Sequence, residues 1–157
     1  MPLPILQLPT EAYYKSHYEA NYCCVPTITF DGIPVYFSKS QFEHAFFESS
    51  MRDGAKDQFS PTRAQRMDWI RYTLQSPAAS LYQGWDNKRQ THDPTRRVAV
   101  VVDDFVVIIR MKLKRDSSLK ADFITCFQAD NSINLIRQSQ LWDLNRCIYD
   151  LSKKKGR

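Results

Sequence analysis

Two of the three histidines, together with nearby arginines, are the residues best suited to chemistry. His44 lies in a predicted helix between aromatic neighbours, and His92 lies in a polar stretch four residues before Arg96. An imidazole titrates near neutrality, so it can accept or donate a proton. An Arg guanidinium binds a phosphate with two hydrogen bonds at fixed charge. Phosphodiester cleavage without a metal needs both kinds of group, although His44 also fits a purely structural role as a neutral imidazole satisfied in the core.

A second candidate surface is a row of cations on the strand predicted over residues 105–114. Alternation places apolar side chains on one face of this strand, namely Val107, Ile109, Met111 and Leu113. It places three cations on the other face, namely Arg110, Lys112 and Lys114. Alternate residues of a strand are roughly 6–7 Å apart, which suits contacts with successive phosphates of a nucleic acid. A solvated sheet face or a protected edge strand would carry the same residues.

Positive charge is concentrated in the second half of the chain. Residues 1–60 carry four Lys and Arg against seven Asp and Glu, whereas residues 61–157 carry eighteen against ten. This asymmetry favours a polyanion as the partner of the second half, and an ordinary solvated basic surface explains it equally well. The N-terminus lacks the features of a signal peptide, and no stretch approaches the roughly 20 apolar residues of a membrane span. We therefore expect a cytoplasmic protein that does not enter a membrane.

The sequence gives no indication of a metal or another cofactor. It contains no HExxH motif and only four glycines, too few and too scattered for a phosphate-binding glycine loop. Asp103 and Asp104 are better explained as a hairpin turn than as a metal pair. The four cysteines lack metal-ligand spacing, because two are adjacent and two stand alone. We therefore expect the protein to use neither a metal nor another cofactor.

The hydrophobic pattern predicts one α+β domain over residues 27–151, preceded by an N-terminal extension over 1–26 and followed by a basic tail over 152–157. The predicted elements are a hairpin at 27–37 around Asp31-Gly32, helices opening at Ser40 and at Ser60-Pro61, a polar loop over 83–96, strands over 97–102, 105–114 and 121–128, and a helix over 132–151. Short polar connections between the strands favour antiparallel pairing.

The order of several segments resembles a known family. These segments are Phe59–Ile70, Leu74–Pro77, Gln83–Asp86, Arg97 with the apolar hairpin after it, and Phe123–Asp130. Over about residues 40–138 the chain resembles the barnase/EndoU/colicin/RelE-like (BECR) nuclease superfamily, in particular its phage and polymorphic-toxin branch. The resemblance implies N-terminal helices packed on a four-stranded antiparallel sheet, here followed by a C-terminal helix. It also implies a toxin-like, metal-independent endoribonuclease that leaves a 2′,3′-cyclic phosphate.

The resemblance also implies a set of site residues. Members use a helix His, a basic residue entering the sheet and a Thr or Ser on the last strand. The matching residues are His44, Arg97 and Thr125, with Arg96 as an alternative for the basic role. The residues expected to hold the RNA are Arg96, Arg110, Lys112, Lys88, Arg89 and Gln128. The family's usual Thr-Ala-Tyr-Pro ending is replaced by Thr125-Cys126-Phe127-Gln128, which leaves the role of Gln128 open.

Two other functions fit the same residues. A non-catalytic nucleic-acid-binding module would use the basic sheet without chemistry, and its binding would depend steeply on salt without turnover. A toxin-associated interaction protein would instead use the acidic first 60 residues and would have no affinity for nucleic acid. If the chain is a toxin, its expected partners are an RNA substrate and a cognate antitoxin or immunity protein.

Overall fold

The protein combines helices with one large mixed sheet and one small sheet. The computed structural model describes residues 3–49, 51, 56–86, 90–130 and 132–155, with the backbone alone at 85, 86, 91–96, 154 and 155. The helices are α1 Glu11–Tyr18, α2 Gln41–Phe46, α3 Pro61–Ala64, α4 Trp69–Gln75, α5 Ile133–Arg137 and α6 Leu144–Lys155. The strands are β1 Thr27–Ile28, β2 Pro34–Tyr36, β3 Phe47–Glu48, β4 Gln58–Phe59, β5 Ser80–Asp86, β6 Thr91–Val102, β7 Phe105–Leu113 and β8 Leu119–Gln128.

Among the described residues, six strands form the large sheet in the order β1-β2-β8-β7-β6-β5. Strands β5 to β8 pair in sequence as an antiparallel meander. β2 joins β8 in parallel, with Val35 opposite Ala121 and Tyr36 opposite Asp122, and β1 pairs with β2. The α+β class is confirmed, whereas the prediction of a four-stranded antiparallel sheet is wrong. A hairpin's own sequence specifies its turn but not the distant strand against which it packs.

Hairpins form around Asp31-Gly32 and Asp103-Asp104 as predicted, although residues 29–33 separate β1 from β2. Gly32 has a φ of +87° in the turn between β1 and β2, a conformation that glycine adopts without steric cost. The prediction of a polar loop over 83–96 is wrong, because β5 continues to Asp86 and β6 begins at Thr91. A two-stranded ribbon pairs through its backbone, so its strands need no apolar alternation where they extend beyond the core.

The N-terminal segment contributes three tyrosines to the main core. Tyr14, Tyr18 and Tyr22, on α1 and on the π-helix Glu19–Cys23 that continues it, are all at most 3% exposed. The Tyr18 hydroxyl donates a hydrogen bond of 2.7 Å to the carbonyl of Ser38. Residues 11–23 therefore pack in the same core as the segment 27–151.

Two helices predicted as continuous are interrupted. Ser60 Oγ accepts a hydrogen bond from the Arg63 amide and Pro61 opens α3 as predicted, but α3 ends at Ala64 and α4 begins only at Trp69. The helix predicted over 132–151 is divided into α5 and α6. The Gln83 amide donates to the Gln140 carbonyl and the Trp142 amide donates to the Leu81 carbonyl. Residues 140–142 thus pair with the edge of β5, which prevents them from continuing a helix.

The sheet has two differently covered faces. One face packs against α1, α2, α3, α4 and α6 and forms the main core. The other face carries a smaller apolar cluster around Tyr82, Val101 and Val106, against which Ile133 and Ile136 of α5 pack. The part of this second face beyond α5 stays exposed, and it carries Arg110 and Lys112. None of the helices in the described part of the chain has both the length and the apolar character of a membrane-spanning helix.

Candidate functional site

Helices α2 and α3 meet the sheet at the edge of β8 that β2 leaves unpaired. β2 pairs with β8 only at Ala121 and Asp122. Further along β8, side chains take the place of a neighbouring strand, because Gln41 Nε2 donates to the Ile124 carbonyl at 2.6 Å and Arg63 Nη1 donates to the Cys126 carbonyl at 3.3 Å. These contacts satisfy carbonyl groups of an otherwise open strand edge, and they hold α2 and α3 against it.

His44 is presented to solvent beside this edge. Its helix neighbours Phe42, Ala45 and Phe46 are fully buried, which fixes α2 and turns the imidazole outward. Partial burial lowers the pKa of His44, and the positive charges of Lys56, Arg97 and Arg63 lower it further. A cation beside an imidazole disfavours its protonated form. His44 is therefore neutral at neutral pH and able to accept a proton.

Lys56 and Arg63 were missed as site residues by sequence reasoning. Burial and the Arg63 charge lower the pKa of Lys56, while the Glu48 carboxylate acts in the opposite direction. Arg63 Nε lies 3.7 Å from Glu48 Oε1. Arg63 belongs to the segment Phe59–Ile70 that carried the family resemblance, so a signal for it existed. For Lys56, which precedes β4 in a polar stretch, the sequence held none.

Arg97 lies in an irregular part of β6. The pairing of β5 with β6 passes from Gln83–Val98 directly to Gly84–Asp93, so residues 94–97 have no partner on β5. Bulges of this kind redirect side chains and are common beside active sites. Gly84 packs against the bulge, since a Cβ added there would stand 2.6 Å from Arg97 Cβ. Arg97 is thus positioned inside a long strand and not at the strand entrance that the sequence predicted.

Thr125 lies on the same strand, β8, and no hydrogen bond links it to His44 in the described part of the chain. The pairing of β7 with β8 shifts between Ile108, opposite Thr125, and Ile109, opposite Phe123. This irregularity turns Thr125 away from the main core. Its Oγ1 atom is buried and has no hydrogen-bond partner within the described part of the chain. The hydrogen-bonding capacity of this hydroxyl is therefore unused among the described residues.

The cation row on β7 has two of its three predicted members, because β7 ends at Leu113 and the half-buried Lys114 follows it. Arg110 and Lys112 are exposed, whereas Val107, Ile109 and Met111 are buried. Arg110 lies opposite Arg97 on one side and opposite Asp122 on the other. Lys112 forms an ion pair with Asp122. The structure therefore brings Arg97, Arg110 and Lys112 onto one surface.

Of the other predicted binding residues, Gln128 stands apart from this surface. Gln128 lies at the far end of β8, where its Nε2 donates a hydrogen bond of 2.9 Å to Asp104. It lies roughly 20 Å along the strand from Asp122 and lines a cleft of about 230 Å³ that also includes Arg63. Lys88 and Arg89 lie outside the described residues. Arg96 belongs to β6, but its side chain lies outside the description.

Comparison with known proteins adds no relative. No protein-family model, no curated protein and no solved structure matches this chain. The BECR resemblance and the roles that it implies for His44, Arg97 and Thr125 therefore stay predictions. An exposed histidine and three cations whose charges lower its pKa lie beside a basic sheet surface. This arrangement does not depend on the resemblance, because it follows from the fold alone.

Proposed function

We propose that the chain is a metal-independent endoribonuclease whose reaction centre is His44. The observation that carries the proposal is the placement of an exposed imidazole among Lys56, Arg63 and Arg97, next to a surface that also carries Arg110. A cationic surface attracts the RNA backbone, and a neutral imidazole can remove a proton from a ribose hydroxyl.

The reaction begins with proton transfer to His44. The imidazole takes the proton of a ribose 2′-OH, and the 2′-oxygen attacks the adjacent phosphorus. As the new P–O2′ bond forms, the P–O5′ bond breaks, and the products are a 2′,3′-cyclic phosphate and a 5′-hydroxyl. The leaving 5′-oxygen needs a proton, and the Lys56 ammonium is suited to supply it because its pKa is lowered.

Negative charge accumulates on the phosphoryl oxygens as phosphorus becomes five-coordinate. The Arg97 guanidinium stabilises that charge with paired hydrogen bonds. The Thr125 hydroxyl, which has no partner in the described part of the chain, adds a donor for one phosphoryl oxygen. Arg110 and Lys112 hold neighbouring phosphates and align the strand.

The test is incubation of total RNA with the protein in EDTA. We expect cleavage that yields 2′,3′-cyclic phosphate ends, detected by their resistance to ligation until the cyclic ester is opened and the resulting phosphate is removed. His44→Ala should slow cleavage about 100- to 10,000-fold, the usual contribution of a general base. His17→Ala is the matched control, because His17 contacts Asp68 at 2.9 Å on another part of the surface. Equal cleavage by His44→Ala and wild type would overturn the proposal.

A binding module without chemistry is the second candidate function. The observation in its favour is that the basic surface also includes Lys112 on β7 and Lys120, which lies opposite Lys112 on β8. Such a module would bind RNA with a steep salt dependence and leave it intact. This alternative would be supported if the protein binds RNA and the RNA is recovered uncut.

A further inference from the structure

An exposed aromatic ring lies in register with the cations of the site. Tyr36 on β2 is opposite Asp122 on β8, Asp122 is opposite Arg110 on β7, and Arg110 is opposite Arg97 on β6. Neighbouring strands are about 4.8 Å apart. The backbone of Tyr36 is therefore about 10 Å from that of Arg110 and about 14 Å from that of Arg97.

Tyr36 points away from the core that its neighbours help to form. Val35 and Phe37 are 0% and 5% exposed, whereas Tyr36 is 43% exposed. Phe37 packs on Phe123 with the ring centroids 4.7 Å apart. Since successive residues of a strand face opposite sides and Tyr36 is in register with Asp122 and Arg110, Tyr36 lies on the same face as Arg110. Its ring is part of the exposed surface beside the cations.

The surface around Tyr36 is predominantly cationic. Among the described side chains that β2, β6, β7 and β8 present on this face, the charged ones are Arg97, Arg110, Lys112, Lys120 and Asp122. The one carboxylate of this set, that of Asp122, is bound by Lys112. Cations that follow a backbone, together with an aromatic ring that can stack a base, are the two components of single-strand binding surfaces.

We propose that Tyr36 is a base-stacking platform for single-stranded nucleic acid, whose phosphates continue from it across Arg110 to Arg97. The inference builds on the proposed function and adds the class of substrate. In a duplex the bases are stacked on one another, so none can reach a ring on the flat face of a sheet. A single strand can lay one base on Tyr36 while the adjacent backbone meets the arginines.

The experiment compares two oligonucleotides of equal charge that the proposed reaction cannot cut. One is a fluorescein-labelled 2′-O-methyl RNA 12-mer of mixed sequence, and the other is the corresponding abasic chain. Both are titrated by anisotropy with wild type, Tyr36→Ala, Tyr36→Phe and Tyr72→Ala. Tyr72, 47% exposed on α4, is the matched control, because it has a similar exposure outside this sheet face.

We expect Tyr36→Ala to bind the base-bearing 12-mer roughly 5- to 150-fold more weakly than wild type. Its affinity for the abasic chain should be unchanged. Tyr36→Phe and Tyr72→Ala should bind both probes like wild type. The proposal is overturned if Tyr36→Ala binds both probes like wild type, or loses affinity for both equally. Failure of wild type to bind either probe also overturns it and would favour an acidic protein as the partner of this face.

These outcomes are independent of the cleavage test. Because the 2′-O-methyl group removes the attacking hydroxyl, the binding measurement does not depend on His44. A protein that binds through Tyr36 but leaves RNA intact would refute the nuclease and retain the platform. A protein that cleaves RNA, but whose Tyr36→Ala variant binds both probes like wild type, would retain the nuclease and refute the platform.

Discussion

A methyl group placed on Gly84 would lie 2.6 Å from Cβ of Arg97 and 3.1 Å from its carbonyl carbon. Real Cβ atoms do not approach so closely, so the absence of a side chain at Gly84 is what lets the bulge of β6 pack against β5. Gly84 thereby fixes the position of the arginine that lies opposite Arg110 and whose charge lowers the pKa of His44.

Gly84→Ala should therefore affect stability and activity together. We expect a loss of about 1–3 kcal/mol in the free energy of unfolding from overpacking, measured by urea denaturation, and slower RNA cleavage because Arg97 moves. Gly32→Ala is the control. It strains a backbone with a φ of +87° but meets no atom within 4 Å, so it should lower stability and leave the cleavage rate of the folded protein unchanged. Wild-type cleavage by folded Gly84→Ala would contradict this positioning role.

Removal of the Lys56 charge should raise the pKa of His44. Less positive charge beside the imidazole favours its protonated form. In Lys56→Gln, the His44 ring signal in NMR should therefore titrate at higher pH. Lys153→Gln removes the same charge from α6 and should leave this titration unchanged. A titration of His44 that is identical in Lys56→Gln and wild type would show that the two side chains do not interact.

The same shift predicts how acid affects stability. His44 binds a proton less readily in the folded chain than in the unfolded chain, where its pKa is about 6.5. Its contribution to stability is therefore present above about pH 6.5 and is lost as the pH falls through the folded pKa. Wild type should lose more stability than His44→Asn on acidification through this range, as followed by urea midpoints at several pH values.

Thr125→Val should separate stability from activity. The substitution removes a buried hydroxyl that has no partner in the described residues, so we expect a gain of roughly 1 kcal/mol in the free energy of unfolding. If the hydroxyl donates to the phosphate, cleavage should slow, and Thr125→Ser should restore it. Unchanged cleavage by Thr125→Val would remove Thr125 from the site. Urea denaturation and single-turnover rates provide the two measurements.

Asp122→Asn should strengthen RNA binding. The substitution removes a negative charge from the basic face and releases Lys112 from its ion pair. The slope of log affinity against log salt should steepen by about 0.7, the value for one more cation on a single strand. Arg110→Gln should make the slope shallower by a similar amount. An unchanged slope in both variants would show that RNA does not lie on this face.

Local pattern in the sequence determined the elements of this protein. The alternation in 105–113 specified which face of β7 is buried, because a strand's side chains alternate whatever its partners are. Asp31-Gly32 specified a hairpin and Ser60-Pro61 specified a helix start, since both depend on backbone conformations set within a few residues. The family resemblance supplied His44 and Arg97 as candidates, and the fold places the Arg97 charge within range of His44.

Only the tertiary structure decided what surrounds those residues. The parallel pairing of β2 with β8 brings Tyr36 into line with Arg110, and the pairing of β3 with β4 brings the Lys56 charge close enough to lower the pKa of His44. The pairing of the ends of β5 and β6 replaces the predicted loop, and the pairing of 140–142 with β5 divides the predicted last helix. Each of these contacts joins segments that are distant along the chain. Their free energy comes from burial and backbone pairing between surfaces, which no local pattern of residues encodes.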